Sequence, residues 1–337
     1  MLPPFRMELK SWFLKEGREL SFRHNRTPYR VWVSEMMLQQ TQAAVVVPYF
    51  ERWMKLFPTV ESLAHATIDQ VLKAWEGLGY YSIARHLHSG AQLIVKWGVF
   101  PDNLEALPGV GPYTAAAIRS FALHQKAAAV DGNVLRVMAR FVGEEGEIDR
   151  PAVRRRLVQA VEALLPDDEP WVTMEALIEL GALICQRKPS CARCPLMPNC
   201  LAYRHGLDLP RRRPRAQSIS IERTVALIEW EGHLLLKQGI QGRVMADLYE
   251  FPYLEGRCAW EDFSLGFPLE FVKELPIQRH SFTKYRATLY PLLLRAKGYT
   301  FNSSAGLGVS DRWVRREMVA LLPLSSGHKR IYENFTQ

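Results

Sequence analysis

Four of the five cysteines stand close together, and thiols grouped in this way are the side chains of the sequence best suited to holding a metal. They are Cys185, Cys191, Cys194 and Cys200, in the pattern C-x5-C-x2-C-x5-C. Four thiolates in one short segment predict a four-thiolate metal site, and four unligated thiols are the weaker alternative. The spacing alone does not distinguish a zinc ion from a [4Fe–4S] cluster. Cys258 stands apart and is predicted to be structural.

A carboxylate precedes an amphipathic stretch in the middle of the chain. Asp131 is followed by Val134, Val137, Met138 and Phe141, which repeat at the spacing of one helix face. Asp is a preferred N-cap residue, so capping alone would account for it. The helix dipole would also keep the carboxylate ionised, which suits a group that faces a developing positive charge. Both interpretations stay open at this point.

A glycine-rich turn lies about twenty residues before that carboxylate. Gly109 and Gly111 flank Val110, and Pro112 then opens an alanine-rich segment, as suits the first position of a helix. Such a turn directs unpaired backbone N–H groups outward at a helix N-terminus, where they could bind a phosphate. A plain tight turn between two helices would also use glycines, so the motif alone does not decide.

The elements that must position these groups change character along the chain. From Met7 to about Arg204 the pattern is helical, with little period-two alternation. Residues 206–220 are proline-punctuated and strongly basic, and they predict an interdomain linker. Its arginines could contact phosphates, although a solvated run of charges is the more common case.

Beyond this linker the sequence becomes β-rich. Two predicted strands are separated by Glu231 and Gly232, which is typical of a hairpin. The predicted elements are strands at 224–230, 233–238 and 287–295, and helices at 311–322 and 327–335. The second domain is therefore expected to be α+β.

Length and charge narrow the classes of function. A chain of 337 residues exceeds what one core supports, so two domains are expected. Lys and Arg number 43 against 35 Asp and Glu, and this excess favours a polyanionic partner such as nucleic acid. No apolar run reaches the length of a membrane span, and the start lacks the apolar stretch of a secretory signal. We therefore expect a cytoplasmic protein that associates with the chromosome and has no membrane partner.

The order of these motifs resembles the endonuclease III and MutY superfamily. That order is a helix-hairpin-helix hairpin, then Val-Asp-Gly-Asn-Val, then a compact four-cysteine loop that closes a helical domain. Residues 33–42 (VSEMMLQQTQ) and 75–82 (WEGLGYYS) narrow the resemblance to MutY. The resemblance implies a mainly α catalytic region, which is a helix-hairpin-helix glycosylase with a [4Fe–4S] cluster loop, and an α+β Nudix-like C-terminal domain.

The same resemblance implies domain boundaries and an activity. The boundaries are 1–206 for the glycosylase region, with a six-helix barrel at about 22–125 and a cluster subdomain from 1–21 and 126–206, then a basic linker at 207–220 and a lesion-recognition domain at 221–337. The implied activity is that of a monofunctional DNA glycosylase, which flips and excises adenine mispaired with 8-oxoguanine or guanine in base excision repair.

Breaking an N-glycosidic bond needs a proton on the leaving base and negative charge near the sugar. Two carboxylates in unlike environments can divide these tasks. Glu35 lies beside Trp32 and Met36, where desolvation would favour its protonated form, so we expect it to be the general acid toward adenine N7. The resemblance gives Asp131 the second task, either stabilisation of the sugar cation or transient covalent capture of the sugar.

Tyr113 bears on whether the strand is also cut. Relatives that act as lyases, such as endonuclease III, carry a lysine at this position to form a Schiff base with the sugar. Tyrosine has no amine, and Lys126 is not at the matching position, so base excision without strand cleavage is expected. Tyr113 and Asn133 are expected to position the reacting groups.

The resemblance also implies contacts with DNA. Gln40, with Leu38, is expected to enter the duplex near the lesion, and Tyr80 is expected to wedge into the base stack. The implied contact residues are Leu38, Gln40, Thr41, Leu78, Tyr80, Gly109, Val110, Gly111, Phe282, Thr283 and Lys284. The expected partner is double-stranded DNA with an 8-oxoguanine:adenine mispair, bound by a monomer, in the nucleus if the source is eukaryotic.

The second domain resembles the family's Nudix-like domain through residues 247–252 (DLYEFP). A Nudix hydrolase would follow this with an Arg-Glu…Glu-Glu cluster that binds magnesium, whereas residues 258–275 offer only scattered acids. Two departures from the family pattern stand out. The first cysteine spacing is five residues instead of the common six, and the reader loop is Phe282-Thr283-Lys284 instead of Phe-Ser-His.

Other functions remain open on the sequence. A mismatch glycosylase for thymine or another base could use the same scaffold. A non-catalytic DNA-damage binding or redox-signalling protein could use the cluster alone, although Glu35 and Asp131 at motif positions argue against it. A Nudix-type nucleotide hydrolase is the weakest alternative.

Overall fold

The computed structural model describes residues 4–214, 218–239, 248–282, 284–298 and 311–336. The helices in these ranges are α1 (Pro4–Glu16), α2 (Pro28–Leu38), α3 (Ala43–Leu56), α4 (Val60–His65), α5 (Ile68–Trp75), α6 (Tyr81–Trp97), α7 (Pro112–Phe121), α8 (Gly132–Phe141), α9 (Pro151–Leu164), α10 (Pro170–Leu183), α11 (Leu201–His205), α12 (Arg316–Val319) and α13 (Ser326–Thr336). The strands are β1 (Ile219–Trp230), β2 (His233–Gln238), β3 (Tyr249–Glu250), β4 (Tyr253–Glu255), β5 (Leu269–Glu274), β6 (Gln278–Phe282), β7 (Tyr285–Ala296) and β8 (Asp311–Arg315).

The chain divides into two compact units. The first comprises Met1–His65 and His86–Arg215, and the second comprises Ala66–Arg85 and Ala216–Gln337. Between residues 4 and 214 all described regular elements are helical, as the periodicity predicts. The second unit adds α5 and the start of α6 to the C-terminal sheet.

The first unit is built around α2, most of whose side chains are buried. Thr27 caps this helix by accepting a hydrogen bond from the Arg30 N–H, and Pro28 occupies its first turn. Helix α10 packs against α1 and α8. The last contact requires a glycine, because a Cβ at Gly181 would lie 2.7 Å from the Cβ of Asn133.

The second unit contains one mixed sheet in the order β3-β2-β1-β7-β5. Strands β1 and β7 are parallel, with Val225 opposite Pro291, and β1 pairs antiparallel with β2 and β4. The hairpin predicted at Glu231 and Gly232 is confirmed, and both residues have the positive φ that such turns require (42° and 75°). Apolar clusters cover both faces of the sheet, and α13 contributes to one of them.

One predicted helix is wrong. Residues 311–322 were expected to be helical, but Asp311–Arg315 form strand β8 and only Arg316–Val319 are helical. Strand β8 pairs antiparallel with β2, where Trp313 lies opposite Leu235. A sheet partner distant in sequence therefore overrides the local helical pattern. The helix predicted at 327–335 is confirmed as α13.

Residues 207–214 of the predicted basic linker belong to the first unit, and two of its arginines form ion pairs there. Arg211 pairs with Glu145 at 2.8 Å, and Arg213 pairs with Glu147 at 3.4 Å. The Arg211 carbonyl accepts a hydrogen bond from the N–H of Ile148. These arginines therefore engage acidic side chains of their own unit, which the sequence did not anticipate.

No helix among the described residues is both long enough and apolar enough to cross a membrane.

Candidate active site

A cavity of about 790 Å³ in the first unit gathers most of the predicted chemistry. Side chains from α2, α7, α8 and α10 and from the segment before α2 line it. The predicted site residues that it brings together are Glu35, Leu38, Gln40, Thr41, Tyr113, Asp131 and Asn133.

Glu35 projects from the second half of α2 and is only 6% exposed. The Tyr113 hydroxyl donates a hydrogen bond to its Oε2 at 2.8 Å. Burial raises the pKa of Glu35 to about 7, the hydrogen bond from Tyr113 opposes this rise, and the nearby Asp131 carboxyl adds to it. The desolvation expected from the apolar neighbours is confirmed, and the carboxyl can hold a proton near neutral pH.

Asp131 is the N-cap of α8, as predicted. Its Oδ1 accepts hydrogen bonds from the N–H groups of Asn133 (2.9 Å) and Val134 (2.8 Å), and its Oδ2 accepts one from the Asn133 amide (2.8 Å). These donors favour the ionised form. Burial acts in the opposite sense and raises the pKa of Asp131 above its usual value. The sequence suggested the helix terminus as the influence on this carboxyl. The environment of Asp131 is also desolvated, so the helix terminus is not the only influence on its pKa.

Tyr113 follows Pro112 in the first turn of α7. Burial and the neighbouring Glu35 hold the pKa of its phenol well above the usual value, so the hydroxyl remains a donor. Lys126 forms an exposed ion pair with Asp167 at 2.7 Å. No lysine is among the described residues that line the cavity.

One wall of the cavity carries charged side chains that sequence reasoning missed. Glu175 lines the cavity from α10, and Glu179 is buried one turn further along that helix. The Arg23 guanidinium reaches both, with its Nη2 2.6 Å from Oε2 of Glu179. Arg26 pairs with Glu175 at 2.9 Å. Phe22 lines the same wall. Two acids at i and i+4 in an otherwise apolar helix were the signal that could have revealed this wall.

The glycine hairpin is docked on α2. Gly109 has φ +72°, and a Cβ there would lie 2.6 Å from Nδ1 of His86 and 2.9 Å from Cε of Met36. The Gln39 amide donates to the Gly109 carbonyl and to the Thr114 hydroxyl, both at 3.3 Å. The helix that carries Glu35 is thus joined directly to the turn predicted to bind phosphate. Gln39 is a second residue that the sequence did not single out.

The other predicted contact residues belong to the second unit. Leu78 is buried, whereas Tyr80 is 46% exposed. Phe282 lies 5.2 Å from the ring of His280 and 5.5 Å from that of Tyr285. Lys284 is exposed. Thr283 and Asp247 lie outside the described residues.

The four clustered cysteines line a second cavity of the first unit, of about 250 Å³. Cys185 follows α10, Cys191 and Cys194 bound a short 3-10 turn, and Cys200 precedes α11. Within the described ranges, no three His, Cys, Asp or Glu side chains converge on one point that could hold a single metal ion.

Two arginines of α8 join this cavity to the larger cavity lined by Glu35 and Asp131, which we call the carboxylate cavity. Arg136 donates to the Cys185 carbonyl at 2.7 Å and to the Asn133 side-chain oxygen at 2.9 Å. Arg140 lies 3.3 Å from Sγ of Cys185. The cap that fixes Asp131 and the first cysteine thus share one hydrogen-bonded network.

The profile of the HhH-GPD superfamily base excision DNA repair proteins matches residues 33–163. The structure of a thermostable thymine-DNA glycosylase is similar, with a TM-score of 0.55 and 28% identity over 60% of this chain and 95% of that one. An endonuclease III–DNA complex has the same fold, with a TM-score of 0.51 and 24% identity over 60% and 94% of the two chains. The fold and the site define a base excision DNA repair protein of the helix-hairpin-helix superfamily.

Curated relatives narrow this class. The adenine DNA glycosylase of Buchnera aphidicola (strain APS) is 33% identical over 261 residues, which are 73% of each chain. That of Mycobacterium tuberculosis is 40% identical over 62% of this chain and 71% of its own. The mouse relative is 41% identical over 59% of this chain but only 42% of its own, so the match spans less than half of its length. The chain belongs to the adenine DNA glycosylase family.

Proposed function

We propose that the chain excises adenine from duplex DNA where the adenine is paired with 8-oxoguanine or guanine, and that it leaves the strand intact. The observation that carries the proposal is the pair Glu35 and Asp131, two buried carboxyls with different hydrogen-bond partners on one cavity. The family to which the chain belongs supports adenine as the leaving base.

The reaction begins with a flipped nucleotide, because a base inside a duplex is unreachable. A cavity of about 790 Å³ leaves room for a purine and its sugar. Phe22 supplies an apolar surface to the base, and the Arg23–Glu175 pair supplies charged hydrogen-bonding groups beside it. The free energy lost on unstacking is offset by these contacts.

Glu35 then protonates the leaving adenine at N7. A pKa of about 7 keeps a large fraction of the carboxyl protonated at neutral pH, which is the property that a general acid needs. Tyr113 orients this carboxyl through its 2.8 Å hydrogen bond. Glu35 afterwards activates the water that attacks the sugar.

The carboxylate of Asp131 faces the positive charge that develops on the sugar. The donors from Asn133 and Val134 hold its carboxylate in one orientation, so little reorganisation is needed when the charge appears. Stabilisation of the cation and transient covalent capture are both compatible with this position. Tyr113 in place of a lysine leaves no amine for a Schiff base, which predicts excision without strand cleavage.

Binding of DNA is divided among several segments. The hairpin of Gly109, Val110 and Gly111 is placed to bind phosphate at the start of α7. Gln40, Leu38 and Thr41 line the cavity and would enter the duplex beside the flipped base, while Leu78 supports the segment that carries Tyr80. We infer that Phe282, Thr283 and Lys284 read the oxidised guanine from a Nudix-like domain. A monomer on the chromosome suffices for these contacts.

The cysteine cavity fits a [4Fe–4S] cluster better than a zinc ion. A single zinc needs four sulfurs at about 2.3 Å from one point, whereas these four thiols line a cavity of about 250 Å³. A bound cluster would cross-link the four positions and add a fixed local charge. Cys185, Cys191, Cys194 and Cys200 would hold it. Purified protein should contain about four irons per chain and absorb visible light, and stoichiometric zinc without visible colour would reject the cluster.

The experiment that tests the activity is a panel of duplexes that pair 8-oxoguanine or guanine with adenine or thymine. Release of free adenine from the first pairs, with intact strands before alkali treatment, is the expected result. Thymine is the second candidate, because the thymine-DNA glycosylase shares 28% identity and the fold. Release of thymine alone would favour that candidate, and binding without release would favour a damage-binding protein.

A further inference from the structure

The segment from Glu76 to Tyr80 has an unusual backbone. Gly77, Gly79 and Tyr80 have φ of +101°, +76° and +47°. Only glycine adopts this region without cost, so Tyr80 is a strained residue, and it is nevertheless 46% exposed. Such a conformation persists only when neighbouring groups hold it.

Part of the restraint comes from α5, which precedes the segment. The Trp75 indole N–H donates to the Gly79 carbonyl at 2.9 Å, and the Leu78 N–H donates to the Trp75 carbonyl at 3.1 Å. These bonds fix the turn itself.

The other part comes from the C-terminal region of the same unit. Oε2 of Glu76 accepts the Lys329 ammonium of α13 at 2.8 Å and the Lys73 ammonium at 2.9 Å. Lys73 also donates to the Ala320 carbonyl, and the Tyr81 hydroxyl donates to the Leu324 carbonyl at 3.4 Å. The contacts therefore enclose the strained turn on both sides.

The two partners of the Glu76–Lys329 ion pair differ in exposure. The Glu76 side chain is 7% exposed and that of Lys329 is 40% exposed. A buried carboxylate is destabilised unless cations accompany it, so loss of Lys329 would remove one of the cations that stabilise Glu76. Glu76 directly precedes Gly77, so a displacement of Glu76 would also displace the turn.

We propose that Lys329 is a positioning residue that acts through Glu76 to hold Tyr80 in the conformation that enters the DNA stack. The C-terminal domain thereby positions the Tyr80 side chain that enters the stack, and it also contacts the lesion. This inference rests on the proposed binding of DNA, but the test does not depend on excision.

The test uses a duplex with 8-oxoguanine opposite a 2′-fluoro adenine nucleotide that resists hydrolysis, and with 2-aminopurine beside the 8-oxoguanine. The fluorescence of 2-aminopurine rises when the neighbouring base stack is opened. Lys329→Met should reduce the rise at saturating protein by about fivefold. The matched control is Lys297→Met, which removes an equal charge from an exposed pair with Glu270 (3.2 Å) in the same unit and should leave the rise unchanged.

A double-mutant cycle separates positioning from general damage. Tyr80→Ala should lower the rise by itself, and adding Lys329→Met should then have little further effect, because both act through one side chain. Lys329→Arg should restore the signal, since it keeps the charge, and it remains informative if Lys329→Met unfolds.

An undiminished signal in Lys329→Met, or equal effects with and without Tyr80, would overturn the inference. Failure of the wild type to release adenine in the separate excision assay would instead reject the proposed function, because the fluorescence readout requires no bond cleavage.

Discussion

The carboxylate cavity of the first unit and the surface around Phe282 in the second use charge in opposite ways. Glu35 is buried among apolar residues, and that burial raises its pKa to about 7. In the second unit Arg223 lies over the ring of Tyr253 at 4.2 Å and reaches Phe282 at 6.0 Å. There the guanidinium lies against aromatic rings that are partly buried and packed against the core of the unit. Burial thus suits proton transfer, and a cation held against aromatic rings suits recognition.

The strongest test of this contrast is Glu35→Gln, which keeps the size of the side chain and removes its acidity. Excision of adenine should fall by about 10² to 10⁴-fold, the usual contribution of a general acid, while duplex binding stays near that of the wild type. Single-turnover release of adenine and a binding titration on the same duplex measure the two effects. Glu162→Gln, at an exposed site on α9, is the matched control. Substantial turnover by Glu35→Gln would remove this residue from the reaction.

Tyr113→Lys tests whether the side chains of the cavity alone determine if the strand is cleaved after excision. Wild-type protein treated with borohydride during the reaction should trap little covalent DNA, because no lysine is among the described residues of the cavity wall. The variant places an amine beside the sugar and should trap much more. Lys126→Met serves as the control for trapping by the exposed lysine that pairs with Asp167. Efficient trapping by the wild type would contradict the expected absence of lyase activity.

The features predictable from sequence were those fixed by local chemistry. The Asp131 cap, Pro112 at the start of α7 and the Glu231-Gly232 hairpin each depend on neighbours within a few residues, and the structure contains all three. The apolar neighbours of Glu35 likewise predicted the direction of its pKa shift. Local patterns suffice where a residue and its partners lie in one turn or one helix.

The features that sequence reasoning missed depend on partners far apart in the chain. Strand β8 forms because β2 offers an edge, although residues 311–315 carry a helical pattern. Arg23 meets Glu175 and Glu179 across about 150 residues, and Arg211 meets Glu145 across 66. The rise in the pKa of Asp131 also required knowledge of its burial. Tertiary pairing and desolvation set these outcomes.

A pH profile sharpens the comparison, because burial raises the pKa of the Glu35 carboxyl to about 7. The protonated form of Glu35 is the active one, so single-turnover rates should be high below a pKa of about 7 and fall as pH rises through it. Tyr113→Phe removes the hydrogen bond that lowers this pKa, so its decline should begin at higher pH. A profile for Tyr113→Phe that coincides with that of the wild type would mean that another group controls the alkaline limb.

The smallest expected effects concern the recognition surface. Phe282 packs between the rings of His280 and Tyr285, and Phe282→Ala should lower the preference for 8-oxoguanine over guanine opposite adenine by several-fold, since one stacking contact contributes about 1 to 3 kcal/mol. Thr283, whose hydroxyl can replace that of serine, should add to this loss in the double variant Phe282→Ala/Thr283→Ala.

Lys284 provides the internal comparison for that loss. Its ammonium lies 5.5 Å from the centre of the Tyr285 ring and is exposed, so as a point charge it should contact phosphate more than base. Lys284→Ala should therefore weaken binding to the 8-oxoguanine and guanine duplexes equally and reduce the salt dependence of binding by about one charge. Ratios of excision rates on the two duplexes at matched salt distinguish the two behaviours. If the double variant keeps the wild-type ratio, the loop is not the reader, and Gln40 and Leu38, which line the carboxylate cavity, become the next candidates.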